Sequence, residues 1–89
     1  MRSRRTASFR KAFGALPESV REQARVAYRR FRENPNYPSL RFKRVHSTEP
    51  VYSVRVGIGY RAVGTLDGDI MIWFWIGSHA EYDSLLSRR

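Results

Sequence analysis

Seven consecutive apolar residues, Ile70-Met71-Ile72-Trp73-Phe74-Trp75-Ile76, run without interruption between Asp69 and Gly77. A short apolar run closed by turn signals suits a strand covered on both faces, at the centre of a sheet. Such a strand delivers whatever follows it to the rim of that sheet. Here the following residues are Gly77-Ser78-His79-Ala80-Glu81-Tyr82. Ser78 with Glu81 three residues on reads as a capping box, so a short terminal helix should begin there and run to about Leu86. His79 then lies in the first turn of that helix, beside backbone N–H groups that favour an anion.

The rest of the chain is built around this strand. Ser8 to Ala15 fits a short helix with Phe9, Ala12 and Phe13 on one side, and room remains ahead of Ser8 for one further edge strand. A second helix begins at Pro17, a favoured first-turn residue, and ends near Asn34 ahead of Pro35. Val20, Ala24, Ala27, Tyr28 and Phe31 form its apolar face. After Asn34-Pro35-Asn36-Tyr37-Pro38 the period changes from helical to alternating: Leu40 and Phe42 point one way, Arg41 and Lys43 the other. Strands follow at Val51–Val56, Tyr60–Thr65 and Ile70–Ile76, with turns at Gly57-Ile58-Gly59 and Asp67-Gly68. The expectation is an α+β chain: an N-terminal helical hairpin packed on an antiparallel sheet of about four strands, with a short C-terminal helix. With 89 residues, no repeat and no linker, residues 1–89 read as one domain.

Composition narrows the chemistry. Seventeen basic residues oppose eight acidic ones, for a net charge of +9, and all but Lys11 and Lys43 of the basic set are Arg. That balance predicts attraction to polyanions, and the planar guanidinium favours two-pronged phosphate contacts. Arg21, Arg25, Arg29 and Arg32 fall along one stripe of the second helix. They serve either as a phosphate rail or, as the plainer reading prefers, as a solvated face balanced by Glu18, Glu22 and Glu33. There is no cysteine, so disulfides and Cys-ligated zinc are excluded. The histidines and acids lack ligand spacing, Gly57-Ile58-Gly59 lacks the Lys-Ser/Thr of a P-loop, and neither a metal nor a cofactor is expected. The longest apolar run is too short to cross a bilayer, where about 20 residues are needed, and the basic N-terminus lacks the apolar stretch of a signal peptide. A cytoplasmic location without membrane association is the expectation.

The candidate site comes from the predicted register. A three-residue turn at Gly57-Ile58-Gly59 pairs Val56 with Tyr60 and sets Arg55 opposite Arg61. Like charges facing one another across a sheet are unfavourable unless an anion lies between them. Arg61 interrupts an otherwise apolar strand, where a charge is costly unless paired; the plainer reading is a salt bridge to one of the few acids. Lys43 and Arg41 extend the basic patch. His79 adds an imidazole, whose ordinary pKa of about 6.5 suits proton transfer at neutral pH. His46, ahead of Ser47-Thr48-Glu49-Pro50, is read as a structural or solvated loop residue.

Leu40-Arg41-Phe42-Lys43-Arg44-Val45, Val51-Tyr52-Ser53-Val54-Arg55-Val56, Tyr60-Arg61-Ala62-Val63-Gly64 and Trp73-Phe74-Trp75-Ile76-Gly77-Ser78-His79-Ala80-Glu81-Tyr82-Asp83 together resemble the RelE/ParE superfamily of type II toxin–antitoxin toxins. The likeness covers essentially the whole chain. It implies a ribosome-dependent, metal-independent endoribonuclease that cleaves mRNA and inhibits translation, with the 2′-hydroxyl attacking the adjacent phosphate. Arg61 matches a phosphate or transition-state contact of cleaving members. His79 matches a position where relatives carry a catalytic His or Arg, and would serve as proton carrier. Lys43, Arg55 and Arg41 would hold RNA, and Tyr82 would approach from the terminal helix or simply pack. The implied partners are a cognate antitoxin in a hetero-oligomeric complex, the ribosome and mRNA. Two other readings stay open: a ParE-like inhibitor of DNA gyrase without nuclease activity, and a non-catalytic basic module that binds RNA or protein.

Overall fold

A computed structural model describes residues 1–87. Its sheet has five strands, β1 (Arg2–Arg5), β2 (Lys43–Arg44), β3 (Val51–Val56), β4 (Tyr60–Asp67) and β5 (Ile70–Ser78), in the order β1-β5-β4-β3-β2. Helices α1 (Ala7–Gly14) and α2 (Glu18–Glu33) precede the hairpins, and α3 (His79–Ser87) follows β5. The α+β expectation holds, with one change. The edge strand ahead of α1 exists and runs parallel to β5, which makes the sheet mixed. The apolar run is interior, but β4 occupies the centre of the sheet.

Local signals account for the boundaries. Thr6 caps α1 by accepting the Phe9 N–H at 3.1 Å, and Pro17 stands at the N-cap of α2. Gly68 opens the two-residue β4–β5 turn at φ 63°, a conformation glycine adopts without the Cβ penalty. The alternating reading of Leu40 to Lys43 fails in part. Pro38–Leu40 is a 3-10 turn closed by Arg41 in the left-handed region (φ 47°), and pairing begins only at Lys43. Leu40 is nevertheless buried, so its apolar character was spent on the core without a strand.

The two faces of the sheet are covered unequally. On one, α1 and α2 bury Val54, Val56, Ala62, Met71, Trp73 and Ile76 together with Phe9, Phe31 and Leu40. Phe31 anchors this side, edge-on to Phe42 at 5.1 Å and to Trp73 at 5.2 Å. Tyr28, expected on the same helix face, is 39% exposed and lies under the Arg32 guanidinium instead. On the other face α3 covers Val51 and Val63 with Tyr82, Leu85 and Leu86.

A bulge in β5 links the two faces. Val63 pairs with Trp75 and Gly64 with Trp73, so Phe74 is an extra residue and its carbonyl accepts from Ser8 Oγ at 3.3 Å. The extra residue flips the pleat. Trp73 therefore joins the α1/α2 core while Trp75 and Gly77 face α3. No helix among the described residues is long and apolar enough to cross a membrane.

Candidate functional site

The α3 face of the sheet gathers most of the residues expected to carry chemistry. Arg55 pairs with Arg61 and Val56 with Tyr60, as the turn length predicts. Arg61 shares its face with Val63, and its other neighbour across the ladder is Gly77, which has no side chain to crowd it. A Cβ on Gly77 would stand 2.7 Å from the Trp75 ring and 2.9 Å from Glu81 Oε1, so only glycine passes between them. No carboxylate pairs with Arg61 among the described residues; its guanidinium lies over the Tyr82 ring at 5.7 Å. The salt-bridge explanation for this charge is thereby replaced by a cation–π contact.

The capping box forms as expected. Ser78 N–H donates to Glu81 Oε1 at 2.9 Å and Glu81 N–H to Ser78 Oγ at 3.2 Å. The Ser78 backbone bond, then its side-chain bond, hold the Glu81 carboxyl below the usual carboxylate range. The first turn of α3 is also fixed from outside, where the His79 N–H donates to the Gly59 carbonyl at 2.7 Å. These bonds set His79 beside the β3–β4 turn, half-exposed, with its imidazole stacked on Tyr82 at 6.0 Å. Nε2 of His79 lies 3.6 Å from Asp83 Oδ2, one helical turn further on.

Tyr82 is the centre of the cluster. Its ring touches Arg61, His79 and Trp75, and its hydroxyl donates to Ser53 Oγ at 3.1 Å. Only 4% of it is exposed, so the hydroxyl is committed inward and is not offered to a ligand. Ser53 was missed in the sequence. The one signal was a small polar residue between Tyr52 and Val54 in the strand Val51–Val56, and its meaning depended on the position of α3.

The remaining candidates divide. Lys43 pairs with Ser53 and so shares the α3 face, exposed at the outer edge. Arg55 is half-buried and spends its Nε on the Gly57 carbonyl at 2.9 Å, leaving the two Nη groups for an anion. Arg41 stands before β2 in its left-handed turn, and strand register does not bring it to the cluster. His46 is structural: its Nδ1 accepts the Thr48 and Glu49 N–H groups at 3.2 and 3.0 Å. On α2, Arg21 is bound to Glu18, and Arg25 to Glu18 and Glu22 at 3.3 and 3.0 Å, which favours the solvated-face reading for these two.

This arrangement suits an attack at phosphorus. Guanidinium groups stabilise charge that develops on phosphate oxygens, and an imidazole at hydrogen-bond reach moves a proton.

Comparison with known proteins agrees with the fold. The ParE-like toxin domain family matches residues 18–84, and the chain belongs to it. It is a toxin of the RelE/ParE superfamily. The structure is similar to YafQ from E. coli (TM-score 0.72, 11% identity, covering 92% of this chain and 98% of that one). It is similar too to the YoeB/ParE toxin from Agrobacterium tumefaciens (TM-score 0.71, 14% identity, 89% and 99%). The toxin–antitoxin complex RelB-RelE from Methanococcus jannaschii gives TM-score 0.68 at 19% identity, covering 91% and 95%. No curated protein sequence matches significantly.

Proposed function

We propose that this toxin cleaves mRNA on the ribosome without a metal ion, using residues 1–89 as a single catalytic unit. The observation that carries the reading is the cluster of Arg61 and His79 about the Tyr82 ring, with Arg55 facing Arg61 across the sheet. In this reading the 2′-hydroxyl gives up its proton to solvent, its oxygen forms a bond to the adjacent phosphorus, and the bond from phosphorus to the 5′-oxygen breaks. Arg61 and the Nη groups of Arg55 stabilise the charge gathered on the non-bridging oxygens. His79 gives its proton to the departing 5′-oxygen, leaving a 2′,3′-cyclic phosphate and a 5′-hydroxyl. Lys43 and Arg41 hold flanking backbone, an attraction that weakens steeply with salt.

Relatives in complexes described as antitoxin–toxin assemblies support an antitoxin partner for this chain as well. An acidic toxin-binding segment would complement the +9 charge. The cytoplasm, where ribosomes and mRNA meet, is the compartment this function requires.

The test is primer extension on an mRNA in a reconstituted translation reaction, with and without ribosomes, comparing wild type with Arg61→Ala and His79→Ala. Ribosome-dependent cuts that vanish in both variants are expected. No cleavage under any condition would sink the proposal. The family match to ParE-like toxins favours gyrase inhibition as the second reading, for which a supercoiling assay on the same preparation is the discriminator.

A further inference from the structure

Tyr82 has the contacts of a part that orders other parts. It is buried, yet three of its neighbours belong to the candidate site or its walls: Arg61 at 5.7 Å, His79 at 6.0 Å and Trp75 at 6.4 Å. Arg61 has no carboxylate to orient it among the described residues, so the ring face is the side-chain partner the structure gives it. A planar cation above a π face keeps its N–H groups directed outward along its edge, where a phosphate is met. His79 is half-exposed on a first helical turn and has rotamer freedom that stacking restricts.

The ring is itself fixed from below. Ser53 is 1% exposed in the middle of β3, and its hydroxyl accepts from Tyr82 Oη at 3.1 Å. A buried polar pair of this kind is satisfied only in one geometry, so it pins the rotation and depth of the ring. An apolar residue at position 53 would pack as well and would not specify that depth.

We infer that Tyr82, held by Ser53, is a positioning residue: it aligns the Arg61 guanidinium and the His79 imidazole toward one phosphate, and its own hydroxyl takes no part in proton transfer. This rests on the phosphate-cleaving reading above, but the alignment exists whether or not the chain cuts RNA.

The experiment compares wild type with Tyr82→Phe, Ser53→Ala, their double variant and Tyr82→Met. Two readouts are taken: single-turnover cleavage on ribosomes, and NMR of the Arg61 Nε–H and the His79 ring protons in the isolated toxin. Tyr82→Phe keeps the ring and loses one hydrogen bond, so cleavage should fall by only about fivefold. Ser53→Ala should match it, and the double variant should be no worse than either single one, because both remove the same bond. Tyr82→Met keeps bulk without a ring. It should cost about a hundredfold in rate and move the Arg61 and His79 resonances out of the ring-current field. If Tyr82→Phe is as inactive as Tyr82→Met, the hydroxyl does chemistry and the inference fails. Unchanged rates and resonances in Tyr82→Met would reduce Tyr82 to packing and overturn it equally. Should wild type not cleave, the resonances alone decide, and Tyr82→Phe serves as the folded reference if Tyr82→Met does not fold.

Discussion

Arg55 and Arg61 stand directly opposite one another on β3 and β4, and neither has a carboxylate partner among the described residues. Cross-strand like charges destabilise a sheet by a fraction of a kcal/mol to about 1 kcal/mol. An anion bound between them turns that repulsion into a site. Thermal stability should therefore rise with added inorganic phosphate or short RNA, by mass action on the folded state. In Arg61→Gln the rise should largely disappear. Equal stabilisation of wild type and variant, followed by differential scanning fluorimetry, would place the anion elsewhere.

Gly77 permits the close stacking of β5, Trp75 and Glu81. Gly77→Ala puts a methyl within 2.7 Å of the Trp75 ring and 2.9 Å of a capping carboxylate oxygen. The ring and the cap must both shift, so urea unfolding should show a loss of about 1–3 kcal/mol. Phe31→Ala provides the core reference. It empties the edge-on contacts to Phe42 and Trp73 and should cost about 3–5 kcal/mol without altering the cluster of Arg61, His79 and Tyr82.

Much of this was legible in the chain, and the failures have identifiable causes. Turn length at Gly57-Ile58-Gly59 determines the Arg55–Arg61 pairing, and Ser78 with Glu81 determines where α3 begins. Both are local rules, so the sequence carried them. The Phe74 bulge was invisible because a run of seven apolar residues has no alternation to break. Yet the bulge is what turns Trp75 and Gly77 toward α3 and opens the space beside Arg61. Arg41 does not continue the alternation into Lys43 because Pro38 begins a 3-10 turn whose left-handed exit precedes the strand. Ser53 acquires its role only when Tyr82 arrives from a separate element, a contact spanning 29 residues.

The capping box gives a pH dependence. Hydrogen bonds from Ser78 lower the folded Glu81 pKa below its ordinary value near about 4.3. A carboxyl with a depressed folded pKa contributes stability that is fully present above the unfolded value. That contribution is lost as pH falls through the folded one. Melting temperatures should thus fall more steeply for wild type than for Glu81→Gln between about pH 5 and about pH 3, the range in which such a carboxylate protonates. Ser78→Ala should cost about 1 kcal/mol at neutral pH. Parallel melting curves for wild type and Glu81→Gln would mean the Glu81 charge adds nothing to the cap.

Among the described residues His79 and Asp83 form an i,i+4 pair, and their exposure decides what each variant should do. The side chains are 52% and 64% exposed at 3.6 Å, so water screens the pair and the ion pair itself is worth little. Asp83 can steady the imidazole but does not hold it as a buried carboxylate would. Asp83→Asn should therefore lower single-turnover cleavage by less than about tenfold, the rate equivalent of an exposed pair. His79→Ala, which on the proposed mechanism removes the proton donor to the leaving oxygen, should lower it by about 10²–10⁴. A loss in Asp83→Asn as deep as that in His79→Ala would show that the two act as a coupled acid in the ribosome-bound state, drawn closer than 3.6 Å.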